Sequence, residues 1–515
     1  MPSVPIRIVS QPGVQRDGTL FDAQAYTAAE WCRFYRGRPT KIGGYREMSR
    51  NFNGVGRGMH VDAVNSFAYV HVGESNLLER MLIDMQTNTP TGVVDRTPSV
   101  FVANDDSLWQ FDSEFDVGTN LNYLLAHAGQ NLANIASDVA QPLYFGNTTD
   151  TARLVDVPSS DVSGGVVCLH PYAVIYGSDG YLAWSVAGNP TDFLGVGSGA
   201  ARPTASKIVQ GLPLRAGPGS APAGLFWGLD TLSRLMFTGG ASIFSFDTIS
   251  AATSVLSSAS IIEHNGTYFW ASHGGFLAFN GVIQEVPNPY NHKWFYANIN
   301  MQWAQKMFAT KVPRWGEIWW CFPKGDSTEC NHAIVLNYRD KFWYDTPLPG
   351  NGRSCGYYEQ VYPFPLMTDA GLNSSSKYSL WQHEVGVNEV SGSSPQSLAV
   401  RSSFRTHQIN IVSPTEGQAG QDKALSVSLV EPDFNQVGDM TLRLYGAANA
   451  ADKNPSLLHT APVVEPSDGA ADQQPGLAVT NRLLQFEFES NVVDGNYEMG
   501  KVLAHVQPGD RRRTT

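Results

Sequence analysis

The chain has 515 residues, 16% of them charged, with 49 glycines, 30 prolines and a formal net charge of −12. This composition favours strands and turns over helical bundles, at a length that suits two or three ordinary domains or one large propeller with accessories. The acid excess argues against a surface built to grip nucleic acid, which needs Lys and Arg to neutralise phosphates, although a wall poor in cations would let nucleic acid slide past. Five scattered cysteines (Cys32, Cys168, Cys321, Cys330 and Cys355) contain no C-x-x-C pair, which argues against a disulfide framework. Cys321 and Cys330 flank a hairpin loop and read as buried thiols. No apolar run reaches the ~20 residues of a membrane helix, and the N-terminal MPSVPIRIVSQPG has no apolar signal core. The expectation is a protein made in a cytosol with no stable membrane association.

Residues 1–50 are rich in arginine and in turn pairs such as Asp17-Gly18 and Gly43-Gly44, with little strand periodicity, and read as an N-terminal arm or docking segment. Arg33, Arg36, Arg38 and Lys41 lie close together among Trp31, Phe34 and Tyr35. That mixture suits a partner-facing interface better than phosphate contacts, and these four cations are the candidate docking residues.

From about residue 55 to 287 short strands recur with turn signals between them, including SFAYVHV, SLWQFD and TYFWAS. Asn265-Gly266 and Asp179-Gly180 mark hairpins. Spacing near ten residues points to a propeller or sandwich array of uncertain blade count. Residues 289–310 break the pattern with one helix, its apolar positions Trp303, Met307 and Phe308 at helical spacing. Residues 315–345 then read as a meander of three strands. Ile318, Trp320 and Phe322 point one way and Trp319 and Cys321 the other; Ile334, Leu336 and Tyr338 oppose Ala333 and Val335; a turn at Arg339-Asp340 leads into Phe342-Trp343-Tyr344. A meander apolar on both faces must be sandwiched between neighbouring sheets. Its tip, Lys324 to Glu329, is expected to stand free.

Weaker strands lead to a C-terminal β-rich region, 401–515, with a long Pro- and Asp-rich loop near 446–476. Leu484, Phe486 and Phe488 alternate with Gln485, Glu487 and Glu489, the pattern of a strand with one buried face. Arg511, Arg512 and Arg513 read as a solvated tail. The whole is mainly β: an arm at 1–50, a β-propeller at 51–400 with a helical insertion near 289–310, and a sandwich-like region at 401–515.

Chemistry is sparse. GVGSG at 195–199 has no helix behind it to present amides to a phosphate, no G-x-S-x-G or H-E-x-x-H is present, and no histidine pairs at metal-ligand spacing. No cofactor, metal or catalytic residue is expected. Asp105, Asp106, Asp112, Glu114 and Asp116 lie in one acidic hairpin that lacks the spacing and turn glycine of a calcium loop. A solvated hairpin with acidic turns accounts for them better than a glycosidase pair.

Five segments in series resemble the nozzle, or tail-tube, proteins of short-tailed bacteriophages: QPGVQRDGTLFDAQAYTAAEWCRFYRGRPTKIGGY near the start, YLAWSVAGNPTDF, FTGGASIFSFD, GEIWWCFPKGDSTECNHAIVLNYRDKFW, and ESNVVDGNYEMGKVLAHVQPGD. The resemblance implies a β-propeller with further β-rich domains, six copies around a channel, and a structural role in the virion tail. Its implied partners are further copies of itself, a tail adaptor, tail fibre or spike proteins, and double-stranded DNA in passage, after assembly in the host cytoplasm. In that setting the five acidic residues would face the channel. A carbohydrate-binding or carbohydrate-cleaving propeller is the alternative, with Trp319, Trp343 and Trp381 as sugar-stacking rings. A trimeric receptor-binding tail protein is a third.

Overall fold

The computed structural model describes residues 3–104, 107–129, 139–214, 221–240, 242–392, 396–410, 424–465 and 476–508. Strand accounts for 54% of the chain and helix for 4%, so the mainly-β expectation holds. Asp105, Asp106, residues 466–475 of the long loop and the terminal arginines lie outside the described residues.

Between residues 56 and 398 seven sheets follow one another, six of them wholly antiparallel and most of them four-stranded meanders. Their first strands are Gly56–Val64, Leu108–Asp116, Gly165–Leu169, Ile208–Pro213, Ile262–His264, Phe308–Val312 and Arg353–Tyr357. Each meander folds because alternating apolar side chains are cut by tight turns. Asn265 and Gly266 take φ of 50° and 76°, the two left-handed positions of a two-residue hairpin turn, so that His264 pairs with Thr267. The first strands of sheets one to four touch in order, as do those of sheets five, six and seven, and a 3-10 turn at Ser258–Ser260 bridges sheets four and six. Arg353–Tyr357 of the seventh sheet returns to lie against Gly56–Val64 of the first.

The seventh sheet is completed from the other end of the sequence. Arg353–Tyr357, Leu366–Asp369 and Tyr378–His383 pair in order, and Tyr45–Phe52 adds antiparallel to Tyr378–His383. Residues 1–50 are therefore not a separate arm. Val4–Ile8 pairs with the long C-terminal strand Asn496–Pro508, the hairpin Cys32–Tyr35 and Arg38–Lys41 joins that strand through Thr40 and Glu498, and Ala28–Glu30 pairs with Ser402–Arg405. The arginine-rich stretch hides strands of two to five residues, too short to show a period.

The C-terminal region comprises two sheets sharing one core. One holds Leu425–Val437, Gly476–Asn481 and Asn496–Pro508; the other holds Ser402–Arg405, Leu483–Ser490, Met440–Ala447 and Ser456–Val463. Phe404, Phe434, Leu442, Phe486 and Phe488 fill the space between them. The loop expected at 446–476 contains an edge strand, Ser456–Val463. Leu483–Ser490 is buried on both faces, contrary to the alternation in its sequence. Its polar face is covered by arginines: Arg405 and Arg443 reach Glu487, Arg401 and Arg443 reach Glu489, and the Arg405 guanidinium lies 3.7 Å from the Tyr445 ring centroid. The arginine stems supply the apolar cover and their heads the counter-charge.

The meander at 315–345 forms as expected, as Glu317–Phe322, His332–Asn337 and Phe342–Pro347, with Phe308–Val312 on its inner edge. Ile318, Trp320, Phe322, Ile334, Leu336 and Trp343 join Phe276 and Phe295 of the preceding elements in one core. Trp319, Cys321, Ala333, Val335, Phe342 and Tyr344 face a second core holding Trp31, Phe34 and Trp381. The connection at Arg339-Asp340 spans four residues rather than two, since Asn337 pairs with Phe342 and Lys341 takes φ of 58°. The helix ahead of it is shorter than expected, His292–Asn298 followed by a 3-10 turn at Met301–Lys306. Phe308 belongs to the next strand, because FATKV alternates and its first, third and fifth residues are buried.

In the first sheet the Glu74 and Glu79 side chains lie together, 0% and 2% exposed. Burial first, and the Glu79 carboxyl second, push the Glu74 pKa from 4.5 up to about 10. A folded-state pKa above the unfolded one gives stability that is complete below 4.5 and is lost as pH rises toward about 10. Glu74→Gln should flatten that decline, so that urea midpoints of wild type and variant diverge in the variant's favour as pH is raised across this range. Parallel pH profiles would refute the assignment.

Candidate functional site

Seven strands, one from each sheet, surround a cavity of about 350 Å³. His60, Asp112, Val167, Gly211, Ile262, Thr310 and Tyr357 each come from a different one of them. A second cavity of about 580 Å³ shares Glu263, Lys311 and Tyr358 with the first, and His264, Asn265 and Gly266 extend it. The first strands line this space, several of them through consecutive residues such as Gln110, Phe111 and Asp112 or Ala309, Thr310 and Lys311.

Charges around the cavity are matched within the chain. Arg57 donates two hydrogen bonds to the Glu329 carboxylate, at 2.8 and 2.7 Å, and the Lys306 ammonium reaches the same carboxylate at 2.5 Å. These bonds hold the Glu329 pKa below its ordinary value against the opposing effect of burial. They also tie down the Lys324–Glu329 tip: Gly325 N donates to Asn298 O, and the Lys324 ammonium sits 4.8 Å from the Trp294 ring centroid. The tip expected to stand free is fastened to the helix and the first sheet, with only Gly325, Asp326 and Thr328 exposed.

On the same first strand as Arg57, His60 joins Asp62, His71 and Ser113 in a polar cluster in which the two histidines are buried and Asp62 and Ser113 partly buried. His60 and His71 are cross-strand partners. His60 Nε2 lies 3.2 Å from both Asp62 Oδ1 and Ser113 Oγ, and Ser113 Oγ donates to Asp62 Oδ1 at 2.7 Å. Burial disfavours the His60 imidazolium, but Asp62, Asp112 and Glu359 outweigh it and raise its pKa. Burial drives His71 well below the ordinary histidine value. The residue types are those of a serine triad, but the geometry is not. Asp62 and Ser113 contact the same imidazole nitrogen, so the acid cannot orient a base toward the hydroxyl.

Of the acidic residues singled out from the sequence, the three described ones, Asp112, Glu114 and Asp116, lie on one strand but have different partners. Asp112 lines the cavity, where it accepts Cys168 N at 2.7 Å and Ser113 N at 2.9 Å. Burial raises its pKa despite these bonds. Glu114 is 3% exposed and bonds His170 Nδ1 at 2.5 Å, and Asp116 closes a turn by accepting Gly118 N and Thr119 Oγ1. None of these three carboxylates forms an open acidic wall. Asp112 faces a space internal to one chain, and a duplex whose major groove alone is about 12 Å wide has no room there.

The four candidate docking cations separate. Arg33 is buried, 1% exposed, and its guanidinium lies 3.1 Å from Glu317 and 2.5 Å from Glu384. Its opposite face stacks under the Trp315 ring at 4.7 Å, and Trp315 Nε1 donates to Glu384. Burial lowers the Arg33 pKa but the two glutamates more than reverse this. Lys41 is buried too, donating to Gly495 O at 2.7 Å, with its pKa lowered to about 8 by burial. Neither can dock a partner: both hold the N-terminal hairpin to the rest of the chain. Arg38 pairs with Glu498 at the surface, 2.7 Å away, and Arg36 is exposed over the Tyr35 ring. A basic run with interleaved aromatics looks the same in sequence whether it faces a partner or its own chain, and only the distant Glu317 and Glu384 decide the matter.

All five cysteines are free thiols, with Cys330 Sγ directed at Cys321 O. Among the described residues no group of three or more His, Cys, Asp or Glu could hold a metal ion, and no helix is long and apolar enough to cross a membrane. No protein-family model matches this chain, and no curated protein shows significant similarity to it.

Removing the guanidinium of Arg33 leaves two carboxylates without their counter-charge. Arg33→Met should therefore cost about 3–5 kcal/mol in urea unfolding, whereas Arg36→Met should stay within about 0.5 kcal/mol. Equal losses in the two variants would contradict the difference in their roles.

Proposed function

We propose that this chain is a structural component of a bacteriophage tail, a nozzle in which several copies ring a DNA-ejection channel. In this reading the seven sheets are the blades of a β-propeller, closed by Tyr45–Phe52, and the sandwich is the accessory domain beside it. The observation that carries it is where the five resembling segments lie. They are scattered in sequence but meet in space at two joints. The first, fourth and last segments of the series are brought together by Arg33 with Glu317, by Trp31 against Trp319 at 6.0 Å, by Phe34 against Phe342 at 6.1 Å, and by Lys41 with Gly495. The remaining two segments meet where Trp184 packs on Phe244 at 5.3 Å. Residues that jointly build packing joints are those a common architecture would retain, which supports reading the resemblance as one of fold.

The role is geometric in this proposal. DNA passes through the lumen between copies, not through the cavity of one chain, and partners are the neighbouring copies, a tail adaptor and tail fibres or spikes. The net charge of −12 suits a wall that does not hold phosphates. Electron microscopy of the purified protein, alone and added to tail-less particles, tests it. A six-fold ring coaxial with the particle's portal is expected. A trimer at the tail tip, or sustained release of reducing sugar from bacterial surface polysaccharide, would replace this reading with the adhesin or glycosidase one.

A further inference from the structure

Three hairpin tips converge at one end of the sixth sheet: residues 36–37, 313–316 and 338–341. Tyr35 packs edge-on against Trp315 with ring centroids 4.9 Å apart, and Arg339 donates to the backbone carbonyls of Pro313 and Arg314. Arg36, Arg314, Arg339 and Lys341 are exposed there, while Tyr35, Trp315 and Tyr338 are half-buried beneath them. The three guanidinium groups each lie over the ring of the preceding or following aromatic residue, at 5.2, 5.0 and 5.9 Å. Stacking fixes these cations in place before any partner arrives, which lowers the ordering cost of an interface. Asp340 is the one carboxylate on these tips.

We propose that this arginine-aromatic cluster is the face by which one copy of the chain holds the next, seated on an acidic edge of a second copy. Two features favour another copy over nucleic acid. Arginine stacked on Tyr and Trp, with a single lysine, is the composition of protein interfaces. A chain whose net charge is −12 repels a polyanion that only four cations attract, but it offers those cations an acid-rich surface of its own kind. The complementary edge is the outer strand of the second sheet, Val155–Asp156, where the ladder ends. Val155 is 53% exposed. Asp156 on that strand and Asp161 on the connection just after it are both exposed. Arg153 on that edge is already paired with Asp95. Sheets two and six are nearly opposite in the cyclic order of seven. A contact between them is head-to-tail and closes into a ring when the rotation per copy allows. The inference rests on the ring reading and deepens it by naming its contact.

Charge reversal on each side tests it. Arg36→Glu with Arg314→Glu breaks one face, and Asp156→Lys with Asp161→Lys breaks the other; none of these four side chains makes an ion pair among the described residues, so circular dichroism and the melting midpoint should stay near wild type. Self-association is followed by sedimentation velocity at low and high salt. Each double variant alone should associate at least about tenfold more weakly than wild type, and an equimolar mixture of the two should recover association by alternating around a ring with an even number of copies. Wild-type association that neither variant weakens would overturn this contact and leave the ring standing. A wild type that stays monomeric in solution would overturn this contact, and one that also forms no ring on tail-less particles would overturn both. Loss of binding to a short DNA duplex in the arginine variant, with self-association intact, would assign the cluster to nucleic acid instead.

Discussion

Trp319 and Trp320 are neighbours in sequence, point to opposite sides of one sheet, and are 3% and 0% exposed. A strand with that requirement forces cover on both faces, and much of the molecule is arranged to supply it. On one side the fifth sheet and the short helix deliver Phe276 and Phe295. On the other side the chain brings its own N-terminal hairpin and the C-terminal sandwich. Fully burying each large apolar side chain is worth roughly 1.5–3 kcal/mol, so a sheet with so many of them is a strong organising centre. The same place also buries a charge. Arg33 enters with its hairpin, and Glu317 of the sheet's second strand and Glu384 of the seventh sheet meet it. Apolar cover holds the pieces against one another, and the ion pairs fix which way round they sit.

How much of this the sequence discloses depends on the range of the contacts involved. The meander at 315–345 was legible because both faces of each strand are written in consecutive residues, and Asn265-Gly266 because a two-residue turn is a local event. The N-terminal fifty residues were not legible as sheet. Their strands are short, and their partners, such as Asn496–Pro508 and Ser402–Arg405, lie at the far end of the chain. Leu483–Ser490 misleads for a related reason. Alternating Phe and Glu signals one dry face, but three arginines from other segments roof the wet one.

The candidate site was the least legible part. Five acidic residues in one hairpin suggest a common environment, yet although Asp112, Glu114 and Asp116 share one face of a strand, each meets a different partner: Asp112 lines the cavity, Glu114 bonds His170 and Asp116 closes a turn. The same holds for the basic run at 33–41, whose members alternate between burial and solvent along a two-stranded hairpin. Charge clusters in sequence become charge clusters in space only where other segments leave the side chains without partners of their own. The arginine-aromatic cluster at the tips of the sixth sheet is the opposite case, assembled from three separated turns that share no motif.

The pairing of Tyr45–Phe52 with Tyr378–His383 has a consequence for how the molecule is made. The strand that completes the seventh sheet is synthesised before the other strands of that sheet and must wait, unpaired, until the first six sheets have been made and the seventh has begun. Pairing at such sequence separation is slow to form, and the waiting strand is an exposed edge meanwhile. Its sequence, YREMSRNF, carries two arginines and a glutamate among its apolar residues, charges that keep a solitary strand from joining the wrong neighbour. The order of synthesis is thereby written into the side chains of the piece that must be kept until last.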